Sequence, residues 1–254
     1  IDTFECTRVS SPAIASDDPS QMIVYTSNGN LSSFGTFWEN PPTWTTTIEP
    51  YEPEGTGIVP GPTISSGNVY MSTTTGKIYS LNKATGDINW VYLTEPPEKL
   101  SLPNVQGGML VIFSETGKVY CLNSSAGTLK WSQKMGENVA LTFSGRPNII
   151  QNVVYVPTAD GRIYAFNAID GNPKWIYTTG ENAAFPVSLV LFGDAVVDGS
   201  ANGKLYAVKV SDGTLKWMFD TGDNARLVYS PVGGVAYVTS GAGKLYAVNG
   251  ADGA

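Results

Sequence analysis

The chain contains no histidine. That absence removes the usual general base, the usual transition-metal ligand and every Ser-His-Asp or Cys-His arrangement. Any chemistry would fall to carboxylates, Lys, Tyr or a bound cofactor. Only two cysteines occur, Cys6 and Cys121, too few for a disulfide framework or a zinc site. Positive charge is also scarce: the balance is -7 with a pI near 4.6, so nucleic acid or an anionic membrane surface would be repelled by most of the surface. No apolar run approaches the roughly 20 residues that span a bilayer. The opening Ile1-Asp2-Thr3 does not read as a signal peptide, so the expectation is a cytosolic chain or one whose signal has been removed.

What is abundant is a repeated frame: Gly, a basic residue, an aliphatic, Tyr, then a second Gly followed by Trp. It runs from Gly76-Lys77-Ile78-Tyr79 to Gly86 and Trp90, and from Gly117-Lys118-Val119-Tyr120 to Gly127 and Trp131. It recurs from Gly161-Arg162-Ile163-Tyr164 to Gly171 and Trp175, and from Gly203-Lys204-Leu205-Tyr206 to Gly213 and Trp217. A fifth copy, Gly243-Lys244-Leu245-Tyr246 to Gly253, stops at Ala254 before its Trp. The Tyr-to-Tyr steps of 41, 44, 42 and 40 residues match four-stranded propeller blades and not helical repeats of thirty-odd residues.

Within each copy an alternating apolar segment, such as Val153-Val154-Tyr155-Val156, leads through a polar turn to the Tyr strand and then through a Gly turn to the Trp strand. Pro12, Pro62, Pro103, Pro147, Pro186 and Pro231 each precede a further short strand, where no ladder donor is required. Six such prolines predict an all-β, six-bladed β-propeller of four-stranded antiparallel blades, one domain over 1–254. Its blades span about 11–49, 60–95, 102–137, 146–181, 186–223 and 230–254 plus 1–8. The first blade is degenerate, keeping Met22 to Tyr25, Gly29, Leu31 and Trp44 in order. The N-terminal segment Ile1 to Thr7 is expected to supply the strand missing from the sixth blade and so close the ring, in its own chain or in a neighbour's. That blade order would set Cys6 and Cys121 too far apart to bond to each other.

The stretch Tyr79-Ser-Leu-Asn-Lys-Ala-Thr-Gly-Asp-Ile-Asn-Trp90 and its copies resemble the tryptophan-docking repeat of pyrroloquinoline quinone-type propellers. The resemblance covers about 60–254 well and 1–59 poorly. It implies that Trp90, Trp131, Trp175 and Trp217 form a structural girdle between blades. It also implies either of two lives, since this repeat serves quinoprotein dehydrogenases and cofactor-free scaffolds such as the propeller of bacterial outer-membrane assembly machinery. The quinone-binding relatives carry a vicinal Cys-Cys and a Glu/Asn/Asp calcium set, and this chain has no Cys-Cys. The cofactor-free branch is therefore expected, with pyrroloquinoline quinone and calcium as the lesser alternative.

A specific site must lie where the repeat breaks its own symmetry. Arg146, Phe185, Arg226 and Tyr229, beside or near the inner-strand prolines, form the candidate ligand or partner patch. Glu137, Glu181 and Asp223 follow three successive Trp strands and are weak metal candidates, since Asp, Asn and Gly equally supply turns. The long loop Thr46 to Gly61 is a second asymmetric feature, placed to cap a face or meet a partner. Asn30 and Asn123 sit in glycosylation sequons.

These features favour a non-catalytic interaction or structural module, extracytoplasmic or secreted, with a protein partner or self-assembly. The alternatives are a quinoprotein oxidoreductase, an extracellular carbohydrate binder, or a filament built by exchange of the N-terminal strand. No nucleic-acid partner and no membrane span are expected.

Overall fold

The computed structural model of the chain describes residues 10, 12–14, 21–35, 42–49, 61–136, 146–180, 184–185, 189–229 and 234–254. Every regular element among them is a strand. The first sheet has the order β1 (Ala13–Ile14), β2 (Met22–Tyr25), β3 (Asn30–Phe34), β4 (Trp44–Thr47). The second is β5 (Thr63–Ser65), β6 (Asn68–Ser72), β7 (Lys77–Asn82), β8 (Ile88–Leu93), and the third is β9 (Asn104–Gln106), β10 (Met109–Phe113), β11 (Lys118–Asn123), β12 (Leu129–Lys134). The fourth is β13 (Asn148–Ile150), β14 (Val153–Pro157), β15 (Arg162–Asn167), β16 (Pro173–Thr178). The fifth is β17 (Val190–Phe192), β18 (Ala195–Gly199), β19 (Lys204–Lys209), β20 (Leu215–Asp220). The sixth has three strands, β21 (Arg226–Tyr229), β22 (Val235–Thr239) and β23 (Leu245–Asn249). A fourth strand supplied by Ile1 to Thr7 would involve residues outside the described ones. The expected sheet order is thus observed five times in full, whereas the first strand of the sixth sheet, β21, comes before Pro231 and not after it as the proline spacing predicts.

The chain falls into two compact units, Ile1–Ser114 with Cys121–Lys130, and Glu115–Tyr120 with Trp131–Ala254. In the first, a core of Ile23, Leu31, Trp44, Val69, Met71 and Leu81 lies between the first two sheets. In the second, one core gathers Tyr155, Ile163, Trp175, Phe185, Val196 and Tyr206 from the fourth and fifth sheets. Another gathers Val197, Leu205, Trp217, Ala236 and Val238 from the fifth and sixth. Val196 and Val197 enter different cores because successive strand residues point to opposite faces.

The turn before each Tyr strand has a local cause that the repeat frame leaves out: a Ser or Thr three residues ahead of its Gly. At Thr158, the hydroxyl accepts the Arg162 N–H at 3.1 Å, while the Thr158 N–H donates to the Arg162 carbonyl at 2.9 Å. Arg162 in turn pairs with Asp160 at 3.1 Å. Thr26, Thr73 and Ser240 hold the same place and also accept from the residue after the turn glycine.

The girdle packs by one rule repeated. Each Trp indole N–H donates to a backbone carbonyl of the following sheet: Trp90 to Ser124, Trp131 to Ala168, Trp175 to Val210 and Trp217 to Gly250, all at 3.0–3.1 Å. Trp44, which the degenerate first copy keeps in sequence order, does the same to Lys83 at 2.9 Å, so the girdle has five members among the described residues. The indole faces rest on Gly86, Gly127, Gly171, Gly213 and Gly253. At Gly171 φ is +75°, and a Cβ there would lie 2.6 Å from the Trp131 ring. Glycine is required twice over, for the left-handed turn and for the ring's approach.

Candidate functional site

Of the residues singled out for a ligand or partner patch, the structure separates two. Arg146 stands two residues before β13, half-buried, and burial lowers its guanidinium from the ordinary value with no carboxylate contributing to the shift. Among the described residues it has no hydrogen-bond or ion-pair partner. The strand it leads into is tied down: Asn148 on β13 donates its side-chain amide to the Leu189 carbonyl at 3.1 Å, joining the fourth sheet to the entry of β17.

Phe185 is 0% exposed and belongs to the core between the fourth and fifth sheets. Its ring meets Tyr206 edge-on, with centroids 5.8 Å apart. Its N–H donates to the Thr158 carbonyl at 3.2 Å, and the Ala184 carbonyl accepts from Ala201 at 2.9 Å. Phe185 is therefore a packing residue and not part of a surface patch: the departure from repeat symmetry that drew attention to it is a way of filling the junction between two sheets. Arg226 and Tyr229 open and close β21, opposite Thr239 and Tyr237. Their side chains lie outside the description.

Glu137 and Glu181 also lie outside the described residues. Asp223 is exposed, and its role is in the backbone: its carbonyl accepts from Gly241 at 3.2 Å and from the Thr221 hydroxyl at 3.0 Å, and its N–H side abuts Gly203. Among the described residues no group of three or more His, Cys, Asp or Glu side chains comes together to hold a metal ion. Cys121 is a free, buried thiol pushed up to about 11 by burial, which makes it a core residue and a poor nucleophile. Cys6 lies outside the described residues.

The sequon asparagines have structural work. Asn123 accepts the N–H groups of Ser125 and Ala126 at 2.9 and 3.0 Å. Asn82, Asn167 and Asn249 hold equivalent turns without sequons. Asn30 accepts from the Thr47 hydroxyl at 3.0 Å.

One unusual group escaped sequence reasoning. Opposite the repeat tyrosines Tyr79, Tyr164 and Tyr246 stand Met71, Val156 and Val238, whereas Tyr206 faces Asp198. Asp198 is 0% exposed; its Oδ1 accepts from Gly199 N–H at 2.8 Å and its Oδ2 has no partner. Burial raises its carboxyl well above the ordinary value, and the Gly199 hydrogen bond only partly opposes this. Aligning the repeat one residue past Ala195-Val196-Val197 exposes it as the acid in a column of aliphatics.

The fold and its recurring Trp docks are those of a β-propeller of the pyrroloquinoline quinone-like type. A family profile described as outer membrane protein assembly factor BamB matches residues 94–227, just over half of the chain, and the chain belongs to that family. Sequence comparison with curated proteins finds no match. Among solved structures, BamB from Moraxella catarrhalis is similar over 96% of this chain and 74% of its own, at 18% identity and a TM-score of 0.72. The computationally designed Ika8 protein aligns over 97% of this chain and 72% of its own, at 12% identity and a TM-score of 0.77. Quinohemoprotein alcohol dehydrogenase ADHIIG from Pseudomonas putida HK5 aligns over 76% of this chain and 40% of its own, at 15% identity and a TM-score of 0.62. These three likenesses establish the fold alone.

Proposed function

We propose that this chain is a non-catalytic β-propeller that binds a protein partner outside the cytoplasm, with Arg146 in the contact. The observation that carries the reading is the family match over residues 94–227, a span that includes Arg146. The repeat residues that look chemically interesting are taken up by docking and turns, while Arg146 offers its guanidinium donors to a carboxylate or carbonyl of a partner. Surface Arg is a frequent anchor of protein contacts. The quinone alternative draws less support from the residues present: the sequence has no adjacent cysteines, and Cys121 is a buried thiol.

The test is native isolation of the tagged chain from its source, followed by identification of what co-purifies. A stoichiometric protein partner that is lost with Arg146→Glu, while the thermal midpoint stays in place, is expected. A chain that recovers no partner but oxidises alcohols with dye after addition of pyrroloquinoline quinone and calcium would overturn the reading in favour of the dehydrogenase class.

A further inference from the structure

We propose that β8 is a self-pairing edge through which two copies of this chain associate, antiparallel, about a two-fold axis at Val91. β8 is the outermost strand of its sheet, so one row of its backbone N–H and C=O groups faces away from β7. Such edges are normally guarded by charge. The other long outer strands carry it: Lys130 and Lys134 on β12, Lys174 on β16, Lys216 and Asp220 on β20. The sequence of β8, Ile88-Asn-Trp-Val-Tyr-Leu93, has none. Ile88, Val91 and Leu93 are 46%, 47% and 45% exposed, much as Leu129, Ile176 and Met218 are on the other outer strands, so it is the lack of charge that sets β8 apart.

The occupant follows from the strand's own pattern. In antiparallel pairing about a two-fold perpendicular to the sheet, each face meets itself, so the axis must pass through a residue. Centred on Val91, the register sets Val91 against the partner's Val91, Asn89 against the partner's Leu93, and Trp90 against the partner's Tyr92. β-Branched and aromatic cross-strand pairs of this kind are favourable. The same register on β12, centred on Ser132, would set Lys130 against Lys134 of the second copy, and like charges directly opposite are destabilising. Trp90 is already seated for the purpose, its ring against Gly127 and its indole N–H on the Ser124 carbonyl, so pairing would not need to reorder it.

The contact is small. One strand falls below the roughly 800 Å² per partner of a standard interface, so the dimer is weak and concentration-dependent. Each copy carries a net charge of -7, so the two repel at long range, and added salt strengthens the association by screening.

Sedimentation velocity over a concentration series, at low and moderate salt, tests this. A monomer–dimer equilibrium is expected, tighter at the higher salt. Val91→Lys should raise its dissociation constant at least tenfold while leaving the thermal midpoint unchanged, and Ile176→Lys on the already charged β16 should leave the equilibrium as it was. Oxidative cross-linking in a Cys6→Ser background fixes the register. Val91→Cys should form a disulfide dimer, because directly opposed Cα atoms lie about 4.5–5.5 Å apart. Asn89→Cys should not, because its two copies sit four residues apart along the strands, about 13 Å. A chain that stays monomeric throughout, a dimer indifferent to Val91→Lys, or cross-linking through position 89 and not 91 overturns the proposal.

Discussion

At the Trp-bearing end of the described sheets, the same contact recurs five times, whereas at the inner end equivalent positions hold chemically different groups. Trp44, Trp90, Trp131, Trp175 and Trp217 each meet a glycine and a carbonyl in the same way. By contrast, the residue before the inner-strand proline is Leu102, Arg146 or Phe185 in the third, fourth and fifth copies. The column opposite the repeat Tyr runs Met71, Val156, Asp198, Val238. A flat ring pressed on a glycine tolerates no added atom, so sequence drift is suppressed there. Away from the docks the repeat tolerates an arginine, a phenylalanine or an aspartic acid, even where, as at Phe185 and Asp198, the side chain is fully buried.

The sharpest way to break the comparison is to remove a docked ring. Trp131→Ala, at a nearly buried indole with a carbonyl partner, should cost about 3–5 kcal/mol in denaturant unfolding, in line with aromatic truncations in cores. An unchanged midpoint would show that the dock is not a packing site. The other half of the same dock should respond more mildly: Gly171→Ala forces a Cβ against the indole and should cost about 1–3 kcal/mol, the range for overpacked cores. If it costs nothing, the ring has room to retreat.

At the inner end the sign should reverse. Asp198→Val installs the aliphatic that the fourth and sixth sheets use, and at pH 7 it should stabilise the fold by about 1–3 kcal/mol by removing an unsatisfied buried carboxyl. The native protein supplies a second readout. Because burial raises the Asp198 carboxyl, the fold retains a proton that the unfolded chain has already released. The contribution of this group to stability is therefore fully present below the ordinary value of 3.8 and is lost as pH rises toward the raised value, then levels off. Unfolding midpoints followed from pH 3 upward should show that decline in the native chain and not in Asp198→Val; parallel curves would mean that Asp198 has a partner when folded. The smallest effect belongs to Arg146→Ala, which should shift stability by no more than about 0.5 kcal/mol while weakening partner capture. A large loss of stability would make Arg146 a structural residue like Phe185.

The sequence by itself determined the four-strand period, the strand order of five sheets and the place of four girdle Trp residues, because those features rest on local rules that repeat; Trp44, in the degenerate first copy, joined the girdle only in the structure. Glycine turns recur at fixed spacing, side chains alternate along strands, and a ring needs a glycine opposite it. It also placed the symmetry breaks at Arg146 and Phe185. Only the tertiary structure decided what the breaks are: Phe185 packs against Tyr206 in a core and Arg146 stays half-buried with no carboxylate partner among the described residues, although the two hold the same repeat position. Likewise Asp198 reads in one dimension as one polar residue among many at a strand end. Its burial comes from the sheets packed around it, and it is burial that raises its carboxyl well above the ordinary value. Exposure and desolvation are properties of the neighbours brought by folding, so a repeat can specify where a side chain sits on its strand and still leave open whether water reaches it.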